Sequence, residues 1–138
     1  MKRMILKQLR AMGFELKKME DIGYVFKHNG LNYVYMPDNE DKHFLRIAVP
    51  CLYEVTEENR MAVLVAVNET NLILKYSRMG IMYDNTVWAV YEHYLHATDN
   101  LDDLLDTILC VINVMVCIFR DKINEVSFHT NHSIKELN

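Results

Sequence analysis

A chain of 138 residues with 51% hydrophobic residues and a formal net charge of −4 fits one domain whose core needs neither disulfide nor metal to stand. The acidic balance disfavours a nucleic-acid partner, which draws on a basic stripe to displace counterions. Three cysteines without a CxxC pair read as reduced thiols in the cytoplasm. The amino terminus lacks the apolar run of a secretory leader, and the greasiest stretch, Thr107 to Phe119, is shorter than the roughly 20 residues that cross a bilayer, so no membrane is expected.

In chain order, Ile5, Leu9 and Met12 recur at helical spacing among Lys2, Arg3, Lys7 and Arg10, and Gly13 marks the stop. The basic cluster, continued by Lys17 and Lys18, reads as a solvated face. In GYVFKHNGLNYVYMP the Asn29-Gly30 pair supplies the positive φ angles of a two-residue hairpin between two aromatic, β-branched strands. The alternation in HFLRIAV predicts a third strand, which Pro50 ends. Thr56 is placed to cap a helix opened by Glu57 and Glu58, and MAVLVAV fits that helix, although its valines would also suit a buried strand. Asn68, Glu69 and Asn71 form its exit.

LILKYS, MGIMY and VWAVYEHYL then read as two or three strands, with Asp84-Asn85 as a turn. Asp99 precedes a last helix of about 20 residues, with Asp102, Asp103 and Asp106 early and Arg120 and Lys122 late, the signs its dipole favours. The predicted fold is α+β: a single antiparallel sheet of five to six strands with helices on one face, in the order α-β-β-β-α-β-β(-β)-α. Residues 1–125 form one domain and 126–138 a tail without sustained period.

This order, with the hairpin YVFKHNGLNYVYM, then FLRIAVP, AVNETNLILKYS and VWAVYEHYL, resembles the type III secretion chaperone-like fold, and more closely the YbjN-like bacterial sensory-transduction-regulator family. The likeness covers about residues 2 to 123. It implies a homodimeric binding module without turnover that holds extended polypeptide against apolar patches. It supplies no catalytic residue, and a shared fold does not establish a shared activity.

Chemistry is weakly marked. His93 and His96, beside Glu92, and His129 and His132 have no HExxH companion and read as exposed polar residues, with no metal expected. Cys51 has no sequence-local histidine. Cys110 and Cys117 read as small core residues of the last helix. Glu57-Glu58 and Asp102-Asp103 fit helix-start electrostatics better than acid catalysis. Four glycines, at 13, 23, 30 and 80, cannot make a phosphate-cradling loop of the GxGxxG or GxxxxGK[ST] kind. Neither a cofactor nor an enzymatic activity is expected.

Two features point to association. The run Thr107 to Phe119 is apolar on every side, so one side should meet the sheet and another a partner subunit or protein. Val111, Val114, Met115 and Ile118 are the seam candidates, while Leu101, Leu105, Ile108, Ile112 and Phe119 could face the sheet. Among the strand aromatics, Tyr24, Tyr33, Tyr35 and Trp88 are the candidates for contacting an extended peptide. The reading is a protein-binding or chaperone-like regulatory module that self-associates as a homodimer. The alternative is a small-molecule-binding regulator with an apolar pocket between sheet and helices.

Overall fold

The computed structural model describes residues 1–137, with side-chain surroundings through residue 126. Helix α1 (Lys2–Ala11) turns Ile5, Leu6 and Leu9 inward and leaves its lysines and arginines in water. Gly13 follows at φ +95°, a left-handed conformation that stops the helix. The sheet comprises β1 (Lys17–Met19), β2 (Gly23–His28), β3 (Leu31–Tyr35), β4 (Phe44–Glu54), β5 (Ser77–Ile81) and β6 (Thr86–Tyr94). Their spatial order is β1-β2-β3-β4-β6-β5, antiparallel throughout. Asn29 and Gly30, at φ +51° and +75°, close the β2–β3 hairpin in the manner their sequence demands. The architecture is the expected α+β, with six strands in one sheet and one more strand before α2 than was expected.

Alternation assigns each strand residue a face. Phe26, Tyr33, Tyr35, Leu45, Ile47, Val87, Ala89 and Tyr91 join the helices in the main core. Val34, Ala48 and Val90 form a smaller cluster on the opposite face, with Val25, Met36 and Trp88 packed over it. All three helices contribute to the first cluster and none to the second.

Helix α2 (Arg60–Ile73) crosses from β4 to the edge strand β5, and β6 then returns to the middle of the sheet. It starts later than Thr56 foretold. Thr56 and Asn59 exchange side-chain and backbone hydrogen bonds at 2.7 and 3.2 Å, which fixes a turn ahead of the first helical residue. It also ends later, taking up Leu72 and Ile73, which the aromatic and β-branched flavour of LILKYS had placed in a strand. Helix α3 (Leu101–Leu137) runs far beyond the expected 20 residues and absorbs the segment read as a tail. One wide stripe, Leu105, Ile108, Leu109, Ile112, Met115, Val116, Phe119 and Ile123, is buried by its own chain.

Pro50 does not end its strand. From Val49 to Tyr53 β4 advances four residues while its partner advances two, from Ala89 to Val87. The strand carries Pro50 and Cys51 as a bulge, with Cys51 at φ +52°.

Two predictions follow from the core. Gly23 sits at φ +142°, and a Cβ there would collide with the carbonyl of Tyr35 across the hairpin. Gly23→Ala should therefore cost at least about 2 kcal/mol, read as a lowered midpoint in urea unfolding. Burial pushes the Tyr33 and Tyr35 phenols up to about 12, whereas unfolded phenols ionise near 10. The folded state thus keeps its full advantage below pH 10 and loses it as pH rises toward 12, because only the unfolded chain gives up these protons. Absorbance at 295 nm should show at least two tyrosines that ionise only as the far-UV circular dichroism collapses.

Candidate interaction surfaces

The outward side of α2 is the most unusual surface of the molecule. Val63, Ala66, Val67 and Thr70 face inward, and the buried Thr70 hydroxyl is satisfied by the Ala66 carbonyl at 2.7 Å. Opposite them lie Met61, Leu64, Val65 and Leu72, exposed by 72, 46, 38 and 77%. Arg60 and Glu69 are the helix's only charges. Arg60 reaches Asn85 at 3.2 Å and Glu69 pairs with Lys122 of α3 at 3.6 Å, so neither serves the outward stripe. A solvated helix face ordinarily carries charge; this one presents oil and a single amide, Asn68.

The neighbouring helix is better covered than its composition foretold. Of the four seam candidates on α3, Met115 is fully enclosed by its own chain and cannot contact a partner there. Its spacing from Ile108, Ile112 and Phe119 puts it on the sheet-facing stripe. Val111 and Ile118 are half-buried on the flank toward α2, where Lys122, one turn beyond Ile118, meets Glu69. Val114 alone faces outward, 41% exposed. Leu105, Ile108, Ile112 and Phe119 lie in the core and Leu101 packs at its margin. Cys110 and Cys117, read as core residues, are exposed, as is Cys51.

The aromatic candidates separate by face and cover. Tyr33 and Tyr35 are buried, and the Tyr33 hydroxyl donates a long 3.5 Å hydrogen bond to the Leu109 carbonyl. Tyr24 is half-buried, stacked on Tyr35 at 6.3 Å with the Lys2 ammonium 5.5 Å above its ring. These three rings hold the sheet to the helices rather than offering a free platform. Trp88 lies on the other face, half-buried, its indole N–H donating to the Thr86 hydroxyl at 3.0 Å. It lines a groove of about 1150 Å³ whose walls include Val34, Val49, Leu52 and Arg120. Val49 belongs to the helix-covered core and Val34 to the opposite cluster, so the lining of the groove draws on both faces of the sheet. It lies beside the point where the register of β3 with β4, Val34↔Ala48 and Tyr35↔Ile47, stops short of the bulge at Pro50 and Cys51.

The polar groups singled out by the sequence go to structural tasks. Glu92 receives Arg78 at 2.5 Å and Arg46 at 3.3 Å on the face away from the helices. His93 turns to Asp99 at 3.1 Å, and Asp99 also accepts the His96 backbone N–H at 2.7 Å. Those two contacts, the backbone one first, hold the Asp99 carboxyl below its usual range. Glu92 and His93 thus diverge. Among the described residues no group of three or more His, Cys, Asp or Glu is placed to hold a metal. The candidates His129 and His132 lie beyond the described side chains. A second, smaller recess of about 590 Å³ lies between the end of α1, the hairpin tip and α3, beside His28, Asp102 and Cys110.

Sequence reasoning missed the bare face of α2, and of the groove it named Trp88 alone. The signal for the first was charge-poor α2, with two charged residues among its fourteen. The signal for the second was a proline inside an otherwise regular strand pattern.

Among the described residues no helix is long and apolar enough to cross a membrane. No family model matches the chain, and no curated protein matches it by sequence. Solved structures do. YbjN of E. coli, a proposed transcription regulator, superposes with a TM-score of 0.67 at 8% identity, over 94% of this chain and 93% of its own. An uncharacterized protein from Methanothermobacter thermautotrophicus gives 0.61 at 16% identity, over 90% and 96%. At such identities the likeness speaks for architecture over nearly the whole length of each chain, and the fold of this protein is YbjN-like.

Proposed function

We propose that this protein is a regulatory protein-binding module without turnover that works as a homodimer, two copies meeting through the outward face of α2. The observation that carries the reading is the uncharged stripe on that helix. Met61, Val65, Asn68 and Leu72 are spaced by four, three and four residues, the interval of a two-helix seam. A second α2 laid against the first would cover Met61, Val65 and Leu72, with Leu64 beside them. Asn68, near the middle, would find its hydrogen-bond partner in the other copy and fix the register. Val114 of α3 is also exposed.

The regulatory part of the reading draws on the architecture shared with E. coli YbjN, itself a proposed transcription regulator. The alternative, a small molecule held between sheet and helices, has less to support it, since that space is filled by side chains such as Phe26, Ile47, Ile112 and Phe119 at 0–1% exposure.

Light scattering on the whole chain tests the association. The expected mass is twice 16.3 kDa. Val65→Glu combined with Leu72→Glu should weaken the dimer by at least about a hundredfold while leaving circular dichroism and the unfolding midpoint close to those of the parent, since both side chains face outward. A parent protein that stays at single-chain mass up to high micromolar concentration would overturn the proposal. So would a double variant that remains dimeric.

A further inference from the structure

We infer that Asn71 closes the far edge of the sheet: its side-chain amide occupies the strand-pairing groups of Met79 and so keeps β5 from pairing with β5 of a second copy. The inference concerns an edge rather than the bare face of α2, and it does not rest on the association proposed there.

Strand β5 has β6 on one side and no strand on the other. An antiparallel strand offers its backbone N–H and C=O groups to alternate sides, residue by residue. Two observations fix which residues face which way. Just beyond β5 the Met82 N–H meets the Thr86 carbonyl at 2.9 Å, so Met82, and with it Gly80 and Arg78, bond toward β6. Met79 instead donates its N–H to the Asn71 Oδ1 at 2.8 Å, and its carbonyl accepts from the Asn71 Nδ2 at 3.1 Å. The backbone groups of Ser77, Met79 and Ile81 therefore point to the open edge, with Met79 in the middle.

A strand residue whose N–H and C=O both pair with one group opposite stands as it would in the hydrogen-bonded pair of a ladder. A primary amide can imitate the missing residue because it carries an acceptor and donors side by side in one plane. Asn71 does so from the last turn of α2, a helix position for which asparagine has little intrinsic preference. The Ser77 N–H is also satisfied within the chain, by the Lys75 carbonyl at 2.9 Å. That tight turn bends at Tyr76, held at φ +70°, a left-handed conformation that an aromatic residue adopts only at a cost. The opposite edge is blunted by other means, since β1 is three residues long and two of them are Lys17 and Lys18. What the Asn71 amide excludes follows from symmetry. With Met79 central and outward, two β5 strands can meet about a two-fold axis, the two Met79 residues exchanging N–H and C=O and Ser77 facing Ile81 on either side. The exposed Tyr76 and half-buried Met82, the next residues beyond, would then face one another and add apolar contact.

Removing the amide tests the inference, with light scattering on the whole chain as the readout. Asn71→Ala should raise the mass at least about twofold over the parent at equal concentration. Hydrogen exchange at the Met79 amide should quicken in dilute samples of that variant, and at Met79 and Ile81 it should slow as concentration rises. Asn71→Asp keeps an acceptor for the Met79 N–H but sets a charge against the edge, so it should hold the parent's mass while its unfolding midpoint falls. An amide with a merely structural role would instead leave both variants less stable and neither heavier. The inference is overturned by an Asn71→Ala protein that keeps the parent's circular dichroism and mass, by an Asn71→Asp protein that associates equally, or by association without protection at Met79 and Ile81. Should Asn71→Ala not fold, Asn71→Ser takes its place, since a hydroxyl so short cannot meet both Met79 groups. Failure of both to fold also overturns the inference, because the amide would then be holding the fold rather than closing an edge. The parent's own mass decides the association through α2, whereas this test reads only the change on substitution, so the two can fail separately.

Discussion

Pairing of β4 with β6 is the constraint on which the remaining structure hangs. The two longest strands share eight register positions, from Phe44↔Tyr94 to Glu54↔Thr86, and are neighbours in space although α2 and β5 separate them in the chain. To place them together, the chain must leave the sheet after β4, cross as α2, lay down β5 at the far edge and come back. That return seats α2 on the sheet with one side inward. The same strand, β4, must also satisfy β3 on its other side, and with Pro50 and Cys51 inserted as a bulge it follows β6 to the end and abandons β3 early.

The apolar residues of the two long helices are distributed by this arrangement rather than by composition. α3 is the greasier segment by eye, yet it lies across the sheet and beside α2, and its stripe from Leu105 to Ile123 is absorbed by one subunit. α2 lies at the outside of that pair and keeps Met61, Leu64, Val65 and Leu72 in water. Burying an apolar side chain of this size is worth about 1.5–3 kcal/mol, so several such residues on a stripe free of charge are a standing drive toward association. The bare apolar face thus belongs to α2, and not to α3 whose composition is the greasier.

A comparable division separates the aromatic residues. Period-two alternation sends Tyr24, Phe26, Tyr33 and Tyr35 to the helix-covered face and Trp88 to the other. The rings that look most like a binding platform in the sequence are those the protein spends on its own core. The histidine and carboxylate pairs are likewise consumed by local ties, Glu92 by two arginines and Asp99 by His93 and a backbone N–H.

Local chemistry is legible in the sequence. The turn at Asn29-Gly30, the stop at Gly13, the inward spacing of Ile5 and Leu9, the alternation that makes the strands and the apolar stripe of α3 are all decided by contacts within a few residues, and the α+β layout follows from adding them. The limits of α2 and the course of β4 through Pro50 were not readable, because Leu72, Ile73 and Pro50 have propensities that the neighbouring elements override. Which side of each element is left bare was also decided elsewhere. Exposure of Leu64 and Leu72, enclosure of Met115 and the groove beside Trp88 depend on where strands distant in the chain come to lie, and periodicity names the sides of a helix or strand without saying which neighbour arrives to cover them.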